Sequence, residues 1–224
     1  MINSNDFGFR HIFMQSSIAD DELSNGTRAH DRKPISLVLL HGTGGNEHDL
    51  VSIGREIDPS ASILSPRGKV LENGMPRFFK RLAEGVFDIE DLKFRTRELA
   101  EFIQNCSMHY NFDMSRTIAV GFSNGANIAS SVLLLYPQIF VGAILFRGMI
   151  PFIPESLPNL SNTTILMSSG TDDPIVTKTE TEKLSQLFQE SNAIVTLKWQ
   201  RSAHNLVQED ILVAKKWIVD NFAE

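Results

Sequence analysis

The chain has a single cysteine, Cys106, in 224 residues. One thiol forms neither an intramolecular disulfide nor a cysteine-based metal site, a usage that fits a reducing compartment and makes the cytoplasm the expected location. Basic excess is lacking as well: 21 Lys and Arg stand against 27 Asp and Glu, for a formal charge of -6. Neither sign gathers into a long run, so the positive footprint of a nucleic-acid binder is missing. Long apolar runs are also absent. Stretches such as 132–136 and 141–146 fall far short of the ~20 residues that a membrane helix requires, and no membrane insertion is expected. Residues 1–10 carry no basic region followed by an apolar segment, so they do not read as a signal peptide. No fixed-period repeat or low-complexity tract marks a linker. With 42% hydrophobic residues, a chain of this length buries roughly 70–75% of its unfolded surface. Disorder is thereby excluded, and one domain over residues 1–224 is the expectation.

What is present is alternation. Short apolar, β-branched runs at 35–41, 61–65, 117–122, 141–146, 163–169 and 193–200 suit strands buried on both faces. Between them, amphipathic stripes predict helices over 90–109, 124–136, 176–190 and 206–221. Parallel strands need crossovers, normally helical ones, so the pattern implies an α/β protein: a mostly parallel central sheet flanked by helices on both faces. The run at 10–16 reads as an added antiparallel edge. Residues 66–88 break the rhythm, with prolines and glycines mixed among charges and aromatics, as in a functional loop.

In open parallel sheets the chemistry gathers beyond the carboxyl ends of the strands. Four features lie there. Gly121-Phe122-Ser123-Asn124-Gly125 follows a strand and opens a helix, the setting in which a strained turn exposes a nucleophilic serine. Leu40-His41-Gly42-Thr43-Gly44-Gly45-Asn46-Glu47 follows the strongest strand, and its small residues let backbone approach a substrate. Thr43 there, and Asn124 behind the serine, are placed to aim N–H groups at an oxyanion. A dinucleotide or phosphate loop is the weaker reading of this segment, since the third glycine and the Lys-Ser/Thr pair are missing. His41 reads as a packed strand-end residue and His48 as a surface group rather than as metal ligands, and no metal is expected.

Gly170-Thr171-Asp172-Asp173-Pro174 supplies the third feature, a carboxylate able to orient a histidine. Two aspartates compete for that role. Pro174 favours an extended conformation at Asp173, whereas Asp172 resembles a turn residue. The fourth is His204, between the last predicted strand and helix, where the chain order Ser, Asp, His puts the base. His11, His30 and His109 have no comparable setting.

Taken together, these motifs resemble the α/β-hydrolase fold, and more narrowly the phospholipase/carboxylesterase family that includes acyl-protein thioesterases. Pro66-Arg67-Gly68, residues 72–79 and residues 81–88 are most similar to a bacterial branch of small carboxylesterases. The resemblance implies a triad of Ser123, Asp173 and His204, oxyanion N–H groups from Thr43 and Asn124, and a 66–88 loop that shapes the substrate cleft. No cofactor is implied. A homodimer is compatible with the family, whose small members often pair. The chain departs from the family pattern in having Ala203 before the histidine and a basic residue in Phe146-Arg147-Gly148-Met149.

The expected activity is hydrolysis of short-chain or aryl carboxylic esters, a small-molecule substrate class. The rivals are an acyl thioesterase or lysophospholipase, and a silent hydrolase fold that only binds ligands. Phe78 and Phe79 are candidates for lining an acyl or aryl pocket, with packing anchors as the other reading. Arg67, Glu72 and Arg77 are expected either to brace the loop by pairing or to leave Arg77 for a substrate anion.

Overall fold

The computed structural model describes residues 8–16 and 34–222; His30 lies outside them. In chain order the main sheet is built from β1 (His11–Met14), β2 (Ser36–Leu40), β3 (Ser62–Pro66), β8 (Thr117–Phe122), β9 (Gly142–Phe146), β10 (Thr164–Gly170) and β11 (Ile194–Gln200). Their lateral order is β1-β3-β2-β8-β9-β10-β11. Only β1 runs antiparallel, pairing His11 with Pro66 and Met14 with Ile63; every other pairing is parallel. The expected α/β architecture, with its antiparallel edge at 10–16, is thus the one formed.

Among the described residues, four α-helices lie in crossovers, α1 (Val51–Ile57), α2 (Ile89–Tyr110), α3 (Asn124–Leu135) and α4 (Lys178–Glu190), and α5 (Gln208–Phe222) follows the last strand. Their ends have local causes. The Asp88 side chain accepts from Asp91 N–H at the start of α2, and Asn111 closes it in the left-handed region. Thr177 and Glu180 form a capping box at the start of α4.

The central strands β2, β3 and β9 are buried at every position, which is why they read as unbroken apolar runs. Successive side chains still part to opposite faces. Val38 and Leu40 join Leu99, Ile103, Val132, Leu133 and Phe188 from α2, α3 and α4. Leu37 and Leu39 join Ile57, Ile211, Ala214 and Trp217 from α1 and α5. The sheet is therefore covered on both sides, and the carboxyl ends of β2, β8, β9, β10 and β11 share one edge of it. No helix among the described residues is long and apolar enough to cross a membrane.

Residues 66–88 are more ordered than a loop. They fold into two hairpins, β4 (Val70–Glu72) with β5 (Met75–Arg77), and β6 (Arg81–Ala83) with β7 (Val86–Phe87). Asn73 and Gly74 turn the first with φ values of 51° and 80°, the twist-compatible turn that Asn-Gly favours.

Candidate active site

Ser123 sits between β8 and α3 at φ 52° and ψ -114°, a conformation that costs a non-glycine residue about 1–3 kcal/mol. The flanking glycines are what permit it. A Cβ on Gly125 would lie 1.9 Å from the Leu40 carbonyl oxygen, and one on Gly121 would lie 2.7 Å from the backbone of Ala126. A serine preceding a helix usually spends its hydroxyl on capping. Here there is no side-chain cap bond, and Oγ lies 2.8 Å from His204 Nε2 instead.

The imidazole is held from its other side by Asp173, whose Oδ2 is 2.8 Å from His204 Nδ1. The Asp173 carboxylate is fully buried. Its Oδ1 accepts from the N–H groups of Ile175 at 2.8 Å and Val176 at 3.0 Å, so the oxygens have separate duties. Asp172 is exposed, and its side chain accepts only from the adjacent Thr171 hydroxyl at 2.9 Å. The structure brings Ser123, His204 and Asp173 into one hydrogen-bonded series and leaves Asp172 outside it.

Ser123 and His204 open onto a cleft of about 300 Å³ whose lining includes Thr43, Asn124, Asn127, Met149, Ile175 and Phe87. The amides of Thr43 and Asn124 make no backbone hydrogen bond to another described residue. A second cavity, about 430 Å³, opens at the opposite end of β2 and β3 beside Ser36, Ser62 and Asp113 and holds none of these groups.

The 66–88 segment is tied to both sides of the cleft. Gly44 N–H donates to the Pro76 carbonyl at 2.9 Å, Arg77 Nη1 donates to Thr43 Oγ1 at 2.6 Å, and Phe78 N–H donates to Asn124 Oδ1 at 2.7 Å. Arg77 lines the cleft yet is only 3% exposed. Burial and the nearby Arg81 charge hold its guanidinium below the usual arginine value, against the opposing pull of Glu72. Glu72 bridges Arg77 at 3.2 Å and Arg81 at 2.9 Å.

Two details differ from the sequence reading. Arg67 is not part of the Glu72 group; it pairs with Glu47, which also takes Arg10 at 2.7 Å. Burial by itself would raise the Glu47 carboxyl, but its own backbone N–H, the Arg67 bond and the two arginine charges outweigh that and lower it. Phe78 and Phe79 are turned into the core. Phe78 lies 4.7 Å from the His41 ring, and Phe79 meets Phe87 edge-on at 5.0 Å. Their apolar surface anchors the hairpins, and Phe87 faces the cleft in their place.

His41 is buried, as a packed strand-end residue should be. Its Nε2 accepts from Gly68 N–H at 2.9 Å and its Nδ1 bonds the Gly42 carbonyl at 2.6 Å, an arrangement of the neutral ring. Burial is the main cause of its lowered pKa. Sequence reasoning missed Asn127, Met149, Ile175 and Arg81 as cleft residues. Asn127 had a signal, since it lies one helical turn beyond Ser123.

Residues 27–221 match the phospholipase/carboxylesterase family model. MhqD of Bacillus subtilis (strain 168), a hydrolase by name, is 50% identical over 181 residues, covering 81% of this chain and 90% of that protein. A carboxylesterase from Bacillus cereus is 43% identical, with a TM-score of 0.87 over 96% of this chain and 95% of its own. YahD, whose structure was solved with malic acid, is 30% identical, with a TM-score of 0.84 over 95% of this chain and 99% of its own. The chain accordingly belongs to the phospholipase/carboxylesterase family of α/β-hydrolases and is a carboxylic ester hydrolase.

Proposed function

We propose that the chain is a serine esterase for short-chain or aryl carboxylic esters, with Ser123 as nucleophile, His204 as general base and Asp173 as its orienting carboxylate. The observation that carries this reading is the unbroken series Ser123 Oγ, His204 Nε2, His204 Nδ1, Asp173 Oδ2, with both contacts at 2.8 Å. Nε2 takes the hydroxyl proton as Oγ attacks the ester carbonyl, and the imidazolium so formed is stabilised by the buried carboxylate. The N–H groups of Thr43 and Asn124 receive the negative oxygen; one such donor contributes on the order of 3 kcal/mol to the transition state. Collapse of the tetrahedral intermediate expels the alcohol, which leaves with the proton from Nε2. Water then repeats the sequence on the acyl-Ser123, releasing the acid and restoring the serine.

Short substrates are favoured by a cleft of about 300 Å³, at the small end of ligand sites, which span ~300–1,000 Å³. The rim also carries Arg81 and Glu84, which suit a polar leaving group better than a long acyl chain. YahD was solved with malic acid, so esters of small hydroxy and dicarboxylic acids belong in the same substrate panel. A cytoplasmic site of action is supported by the lone thiol of Cys106, which lies buried.

The test is hydrolysis of p-nitrophenyl esters from two to sixteen carbons, with Ser123→Ala as the control. Maximal turnover at C2 to C4, abolished in Ser123→Ala, is the expected result. A maximum beyond C10 points to lipid or thioester substrates. Equal inactivity of both proteins, with a ligand still raising thermal stability, points to a binding protein.

A further inference from the structure

His204 is carried on residues 201–207, a segment with neither helix nor strand of its own. Its backbone–backbone bonds to described residues lie at its two ends, from Ser202 N–H to the Gln200 carbonyl at 2.9 Å, from Asp172 N–H to the Ser202 carbonyl at 3.0 Å and from Asp210 N–H to the Val207 carbonyl at 3.0 Å. A rotation of this segment by an ångström would part the imidazole from Ser123 or Asp173. What holds it comes from beneath. Arg147, the first residue after β9, adopts φ 55° and is fully buried. Its guanidinium reaches the carbonyls on both sides of His204: Nε donates to Ala203 O at 3.3 Å and Nη2 to Asn205 O at 2.7 Å. Nη2 also donates to Ser202 Oγ at 2.9 Å.

The same guanidinium is fixed by a second set of contacts. Asp210, buried in the first turn of α5, takes Nη1 on Oδ1 at 2.9 Å and Nη2 on Oδ2 at 2.7 Å. Nη1 donates further to the Ser168 carbonyl at 2.9 Å. Asp210 in turn accepts from Ser168 Oγ at 2.6 Å and from Val207 N–H at 2.9 Å, closing the far end of the histidine segment. Every link in this set is local to the ends of β9 and β10, the 201–207 segment and the start of α5.

We propose that Arg147, locked by Asp210, is the positioning residue for His204: it sets the backbone on either side of the imidazole so that both ring nitrogens meet their partners. This rests on the reading of Ser123 and His204 given above. A buried ion pair is poor evidence of a stability role, because apolar residues of similar volume often serve equally well. Apolar side chains do not hold two carbonyls and a hydroxyl in fixed places, and a planar guanidinium with five N–H groups does. Lysine has one nitrogen centre and satisfies only part of the set.

The test uses the full chain, p-nitrophenyl acetate and three variants: Arg147→Lys, Arg147→Met together with Asp210→Leu, and Ser202→Ala. The double variant removes both charges at once and so leaves no orphaned buried ion. Ser202→Ala deletes one acceptor and no charge, and keeps a fully folded chain available. Folding is verified by melting, and rates are expressed per folded molecule.

The expected result is a fall in kcat, up to about 10²-fold in the double variant, with KM little changed. Arg147→Lys should be intermediate and Ser202→Ala smaller in the same direction. The low-field proton resonance of the His204–Asp173 hydrogen bond should weaken or shift in parallel, a change that a merely structural role does not produce. Folded variants that keep the kcat and the resonance of the parent chain overturn the inference. Failure of the underlying reading looks different: the unaltered chain would be inactive, or Ser123→Ala would retain its rate.

Discussion

Replacing Asp173 by asparagine is the sharpest test of the proposed chemistry, because the two side chains are nearly isosteric and the surroundings dictate how the amide must sit. Oδ1 of Asp173 receives two backbone N–H groups, from Ile175 and Val176, while Oδ2 faces His204 Nδ1. An asparagine keeps its oxygen on the two N–H donors and so turns its NH₂ toward the imidazole. The flipped amide sets NH₂ against those donors and leaves them unpaired, at about 1–3 kcal/mol for each buried group. Facing an NH₂ donor, Nδ1 must be the acceptor, and the ring proton moves to Nε2. There it points at Ser123 Oγ, so the base no longer accepts the serine proton. The loss expected from the wrong tautomer is about 10⁴ in kcat, or about 5.4 kcal/mol at ~1.36 kcal/mol per tenfold. Asp172→Asn is the matched control. It is exposed and touches only Thr171 Oγ1, so its stability should change by less than about 0.5 kcal/mol and its rate not at all. Steady-state hydrolysis of p-nitrophenyl acetate by both variants reads this directly. An Asp173→Asn enzyme within tenfold of the parent, or a crippled Asp172→Asn enzyme, refutes the reasoning.

Gly125→Ala forces a Cβ to within 1.9 Å of the Leu40 carbonyl oxygen. Overpacking costs typically 1–3 kcal/mol, and each ~1 kcal/mol shifts the melting temperature by roughly 2–4 °C in a chain of this size; esterase activity should fall with it, and an unchanged melt with full activity is the contrary result. His41 has its pKa lowered from 6.5, chiefly by burial. Below pH 6.5 the unfolded chain therefore binds a proton that the folded one refuses, and stability falls as pH drops toward the folded value. Urea titrations at pH 7.5 and 5.5 should show a smaller loss in His41→Gln than in the parent chain. Burial pushes the Cys106 thiol up to about 12, so iodoacetamide at pH 8 should leave the native protein unmodified and alkylate one thiol after denaturation.

The Ser123 turn was legible because its glycine signature is local. Gly121 and Gly125 lie two positions either side of Ser123; Gly121 avoids the backbone of the same turn, whereas Gly125 avoids Leu40 and His41 at the end of β2, a contact that only the fold makes. The central strands were legible for a similar reason, since burial on both faces leaves continuous apolar runs. Helix α1 was missed. Seven residues are too few to declare a period, and Leu50 before it makes no side-chain cap bond. The hairpins of 66–88 use strands of two or three residues, below any periodic window. The orientation of Phe78 and Phe79 had no signal either, because two adjacent aromatics look the same whether they anchor a loop or line a pocket. Arg67 had acidic candidates of equal appearance in Glu47 and Glu72, and only the fold selects Glu47.

By itself the sequence determined the architecture, the strained serine and the order of the chemically capable residues along the chain, because turn, cap and strand signals act between near neighbours. Tertiary structure decided which of them touch. His204 is 81 residues from Ser123 and 31 from Asp173, and Arg147 is 63 from Asp210. Contacts over such separations depend on the lateral order β8-β9-β10-β11, which brings the carboxyl ends of these strands to one edge. That order is set by how the whole sheet packs, which no short stretch of sequence encodes.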